Sequence, residues 1–141
     1  MKKLILFSFL FTCKAWATCP NLTGIYFDAE ENLERTITQS DCLETVWKDE
    51  AGTSVLIADG VERILQQEKD MIAYGTVFFR AQELVVDIRM DWGKYKDWNL
   101  PARWETSYFI DKKNNLVEKI IPYDKEGEAG ATEYITFRRI E

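Results

Sequence analysis

Between Trp92 and Trp104 four aromatic residues fall within thirteen positions: Trp92, Tyr95, Trp98 and Trp104. Grouped indole and phenol rings give a large apolar surface with polar edges, which suits a small, largely apolar ligand. On this reading Tyr95 and Trp98 sit on a connection and Trp92 and Trp104 at the strand ends beside it. Tyr108, further along the second strand, completes the set of candidate ligand contacts. The competing reading makes Trp98 a hydrophobic plug that folds inward and seals a barrel end, because small barrels are usually filled by their own side chains. Sequence leaves both open.

Carboxylates are the other chemically capable groups. Asp87, Asp91 and Glu105 could face one another across a cleft and exchange protons. They alternate with Arg89 and Arg103 on polar strand faces, so cross-strand charge pairs explain them better. Asp124, Glu126 and Glu128 lack the alternating acidic spacing of a calcium loop, and Lys125 opposes a cation there, so they read as a solvated loop. The 141 residues include no histidine. That removes the usual general base, the Ser-His and Cys-His pairs and most catalytic zinc sites. No nucleophile motif is present. The expectation is a non-enzyme with no catalytic residue, no metal and no cofactor.

The elements that would position these residues are strands. From Glu83 to Trp92, Leu84, Val86, Ile88, Met90 and Trp92 share one face, while Val85, Asp87, Arg89 and Asp91 share the other. Such period-two alternation puts one face in the core and one in water. Arg103–Asp111 repeats it, with Trp104, Thr106, Tyr108 and Ile110 inward. Further strands rich in Val, Ile, Thr, Tyr and Phe are expected near 22–28, 33–39, 43–49, 53–58, 61–67, 71–80, 116–123 and 131–140. The run 61–67 also fits a short helix capped by Asp59. Asp59-Gly60 favours the strand, because it reads as a two-residue hairpin turn. About ten short strands on short connections suggest sequential antiparallel pairing. Closure would then remove sticky edges. The expected fold is all-β, an antiparallel up-and-down β-barrel of about 8–10 strands, with a two-sheet sandwich as the alternative.

The N-terminus reads as an export signal of bacterial type. Lys2 and Lys3 precede a short apolar run, Leu4–Cys13, and Ala15-Trp16-Ala17 supplies the small-x-small cleavage pattern. Cleavage after Ala17 leaves residues 18–141 as a single domain in the periplasm or the medium. A lipid anchor on Cys13 is the alternative address. The apolar run is shorter than the ~20 residues a membrane span needs. Removing residues 1–17 takes Lys2, Lys3 and Lys14 from 18 basic residues, leaving 15 against 24 acidic, a net charge of −9. That charge argues against nucleic-acid partners. Two cysteines remain, Cys19 and Cys42. In an oxidising compartment they read as a disulfide closing a loop of about 24 residues. In a meander the turn after the second strand returns beside the start of the first, which brings the pair together.

Leu22-Thr23-Gly24-Ile25-Tyr26 resembles the Gly-x-Trp opening strand of lipocalin-like proteins, the calycins, and Tyr134–Arg139 resembles their closing strand. The resemblance covers two short segments, and Tyr26 stands where that group has tryptophan. It implies a barrel in which Arg138 or Arg139 packs over Tyr26. The resulting expectation is an exported, non-catalytic barrel binding a small, largely apolar molecule. The alternative is a cell-envelope interaction or inhibitor module with a filled interior and no ligand cavity.

Overall fold

The computed structural model describes residues 19–141. The leader, Cys13, the cleavage pattern and Thr18 lie outside these residues. Ten strands follow in order: β1 (Gly24–Asp28), β2 (Leu33–Ser40), β3 (Glu44–Asp49), β4 (Gly52–Ile57), β5 (Arg63–Glu68), β6 (Met71–Arg80), β7 (Glu83–Asp91), β8 (Arg103–Ile110), β9 (Leu116–Tyr123) and β10 (Glu133–Arg139). All pairings are antiparallel, in the order β4-β3-β2-β1-β10-β9-β8-β7-β6-β5. The sheet curls into a half-barrel. Residues 63–68 are strand, as expected for the run 61–67 in preference to a helix, and among the described residues no helix is long and apolar enough to cross a membrane.

The sheet opens at one unexpected place. First and last strands pair through Tyr26↔Arg139 and Phe27↔Arg138, whereas β4 and β5 are its two unpaired edges. Asp59-Gly60 is therefore not the turn of a β4–β5 hairpin. Asp59 instead accepts from Val61 N at 3.0 Å and grips the Arg63 guanidinium, while Gly60 N donates to Val77 O of β6 at 2.9 Å. These local bonds hold the connection against β6. They leave the β4 ladder without a partner.

Strand alternation divides the sheet into a concave and a convex face. The concave core contains Leu22, Tyr26, Ile37, Trp47, Val77, Leu84, Val86, Leu116 and Phe137, with Ile88, Tyr108 and Ile110 packed against it. The inward orientation of the alternating β7 and β8 residues is as the sequence implies. Burial is graded along each strand. On β7, Leu84 is 0% exposed and Val86 8%, while Ile88 and Met90 are only half-buried. The end carrying the β2–β3, β4–β5, β6–β7 and β8–β9 connections is thus the closed one. The opposite end, with the β7–β8 connection, is looser.

The convex face departs from simple solvent exposure. Val85, expected in water, is 0% exposed, and Ser107 and Glu105 are also buried. Val85 lies between Phe78 on β6 and Ser107 on β8. Arg80 of β6 donates to Glu105 of β8 at 2.7 Å, so its aliphatic arm crosses β7 and covers Val85.

At the closed end Cys19 and Cys42 are bonded, with a Cα separation of 5.5 Å. The strap they hold is anchored further. Leu22 N donates to Gln39 Oε1 at 3.0 Å, and the Tyr26 hydroxyl donates to Leu22 O at 2.9 Å. Arg139 lies 5.8 Å from the Tyr26 ring centre and donates to Thr23 O at 3.0 Å.

Candidate functional site

The concave face holds a pocket of about 300 Å³ towards its looser end, walled by Trp47, Leu56, Leu65, Val86, Ile88 and Tyr108. Period two puts Arg35 on the same face of β2 as Leu33 and Ile37, so a guanidinium enters an apolar space. It stacks 5.1 Å from the Trp47 ring and 4.7 Å from the Phe137 ring. Arg35 Nε is buried and has no hydrogen-bond partner, as are Trp47 Nε1 and Thr45 Oγ1. Asp49 Oδ2 stands 3.9 Å from Arg35 Nε, beyond hydrogen-bond reach, while Asp49 Oδ1 accepts from Ala51 N at 2.9 Å. Beyond Trp47, Tyr108 meets its ring edge-on at 4.4 Å and donates to Glu118 Oε1 at 2.8 Å. Burial first, and the Glu118 charge second, push the Tyr108 hydroxyl well above the ordinary tyrosine range, so it stays protonated. Leu65 enters at a bulge in β5 and rests on Gly75, where a Cβ would collide with it.

The aromatic connection builds a second hollow at the same end. Trp92, Tyr95, Trp98 and Leu100 line about 310 Å³ together with the β5–β6 turn. Tyr95 and Trp98 meet edge-on at 4.8 Å, and Trp104 meets Trp92 at 6.1 Å. Trp92 Nε1 donates to Pro101 O at 2.8 Å, and Lys94 pairs with Asp70. Trp98 is 62% exposed, so the plug reading is wrong for it. The 3₁₀ turn at Gly93–Tyr95, with Trp98 N donating to Tyr95 O at 2.9 Å, holds the ring outward. Of the five candidate contacts, the connection thus gathers Trp92, Tyr95, Trp98 and Trp104, while Tyr108 belongs to the concave pocket. Gly93 has φ +50° and lies where a Cβ would meet the Asp70 backbone. Gly93→Ala is expected to cost about 1–3 kcal/mol, read by urea denaturation, from left-handed backbone strain plus that contact. A loss below about 0.3 kcal/mol would mean that the connection relaxes freely.

The candidate carboxylates are occupied structurally. Arg103 grips Asp87 through Nε at 2.8 Å and Nη2 at 2.7 Å, and reaches Glu105 at 3.2 Å. Asp91 accepts from Gly93 N at 3.0 Å. Asp124 Oδ1 accepts from the backbone of Glu126 and Glu128, which folds that loop on itself. Among the described residues no cluster of three or more Cys, Asp or Glu side chains could hold a metal ion.

Sequence reasoning missed Arg35 and Trp47. Their signal was present in the parity of β2 and β3, where a cation shares the inward face with Ile37 and an indole with Thr45. The fold and this site define an antiparallel up-and-down β half-barrel with a largely apolar pocket on its concave face, which Arg35 enters. No protein-family model matches the chain, and no curated protein matches it.

Proposed function

We propose that the chain is an exported, non-catalytic, lipocalin-like protein that holds a small, largely apolar molecule on its concave face. The observation carrying this reading is the pocket of about 300 Å³, walled by aliphatic and aromatic side chains. Its volume meets the lower range of small-molecule sites, and a few convergent polar atoms are what such sites use for orientation. The Cys19–Cys42 bond supports export, because disulfides persist in oxidising compartments. The absence of histidine supports a binding role over catalysis. Arg139 over Tyr26 supports the lipocalin-like resemblance.

Titration calorimetry with neutral octanol and similar uncharged molecules tests the pocket. One saturable site is expected, with a matching change in tryptophan emission as the ligand packs against Trp47 in the pocket wall. Ser54→Trp, at an exposed position on the pocket rim, should weaken binding at least tenfold while leaving stability within about 0.5 kcal/mol. Heat and fluorescence unchanged across the whole series would sink the reading. The alternative, a cell-envelope interaction module, is favoured by exposed Val55, Val61 and Ile64 beside the unpaired β4 and β5 edges. Such edges accept an added strand.

A further inference from the structure

Resting on the pocket reading, we infer that the occupant is a monoanionic amphiphile whose carboxylate is bound by Arg35 and whose apolar tail lies along Leu56, Leu65, Val86 and Ile88. The argument begins with the cation. A guanidinium carries donors in a rigid planar fork and does not deprotonate in proteins. Arg35 has its side chain largely covered and pairs with the Asp49 charge at 3.9 Å, too long for a hydrogen bond, so Nε has no acceptor. A buried donor without an acceptor is costly unless something else completes it. Stacking between Trp47 and Phe137 fixes the plane of the fork without engaging its in-plane N–H groups. A planar carboxylate can then be received through two parallel hydrogen bonds. Trp47, whose ring the guanidinium stacks on, has a buried Nε1 that is likewise without a partner.

Charge limits the head group to one negative unit. Asp49 and Glu118 already stand near the pocket, and a dianion would add repulsion to the cost of leaving water. Tyr108 spends its proton on Glu118, so the receiving donors are those of Arg35. Size limits the tail. An engineered cavity of ~150 Å³ accepts benzene, so about 300 Å³ holds roughly a dozen heavy atoms. A medium-chain carboxylate such as octanoate fits this limit.

The experiment compares octanoate, octanol, octylammonium and octyl sulfate by titration calorimetry on the full mature chain. Octanoate should bind at least tenfold tighter than octanol, and octylammonium more weakly than octanol. Arg35→Met keeps the stem over Trp47 and removes the charge, so it should abolish the octanoate preference while octanol binding is retained. Asp49→Asn removes the neighbouring carboxylate and should tighten octanoate at least threefold with octanol unchanged. That variant decides the matter if Arg35→Met fails to fold. Octanol binding with no octanoate preference overturns the inference and leaves the apolar pocket standing. Octyl sulfate binding as tightly as octanoate overturns the planar-carboxylate assignment. Failure of all four ligands to bind removes the pocket reading and the inference together.

Discussion

A Cys19→Ala/Cys42→Ala double variant is expected to lose about 3 kcal/mol of stability. The bond spans a sequence separation of 23 residues and encloses β1, β2 and the turn between them. Without it the unfolded chain gains the freedom of that loop, and the loss follows the logarithm of loop length. Other groups hold the native strap, so the variant should still fold. Leu22 stays fully buried at the closed end, its amide on Gln39 Oε1, and Gln39 N donates to Thr23 Oγ1 at 3.1 Å. Equilibrium urea denaturation of the oxidised wild type and the double variant measures the difference. A larger m-value should accompany the lower midpoint, because the uncrosslinked denatured chain exposes more surface. A loss under 1 kcal/mol would mean that the strap, rather than the covalent loop, sets the stability of this end.

Most of the fold was legible because its elements are period-two strands with turn residues between them. Leu84, Val86 and Ile88 alternate with Asp87 and Arg89, and no other orientation buries the first set without stranding the charges. The meander also told where Cys42 must fall relative to Cys19. The seam was not legible. Asp59-Gly60 has the composition of a hairpin turn, but composition does not say whether the flanking strands close a ladder. Here the Asp59–Arg63 pair and the Gly60–Val77 bond decide that locally. Val85 was misread because its cover comes from Arg80, two strands away from Glu105, and no local pattern reports a side chain that long crossing a neighbour. The aromatic cluster was found by composition alone, and Trp98 faces water because the turn from Gly93 to Tyr95 directs it there. Arg35 was passed over because a single arginine in a strand reads as an outward residue until its parity is checked against Ile37.

Leu84→Ala is expected to destabilise the protein by about 2–5 kcal/mol, the largest effect of any single truncation on β7. Leu84 is 0% exposed and packs within the closed end, opposite Phe79 on β6 and Tyr108 on β8. Those neighbours belong to a curved sheet whose closed end is tied by the Cys19–Cys42 bond and by Gly60 N on Val77 O, so they cannot move inward to fill the void, and a cavity cost adds to the lost transfer energy. Met90 gives the internal control. It lies on the same strand and face, three inward positions further on, but it is only half-buried at the loose end. Met90→Ala should therefore cost about 1 kcal/mol or less, since water already reaches the site and little cavity is created. The gradient also bears on binding. A protein that concentrates its packing at one end can tolerate unpaired Arg35 and Trp47 donors and an unfilled volume at the other, a pattern expected where function draws on stability. Denaturation of both variants, with octanol titration of each, separates the two ends. Leu84→Ala should lower stability without changing affinity while the protein remains folded. Met90→Ala should leave stability nearly intact. Equal losses at the two positions would show a uniformly packed interior, and the division between a structural end and a binding end would fall.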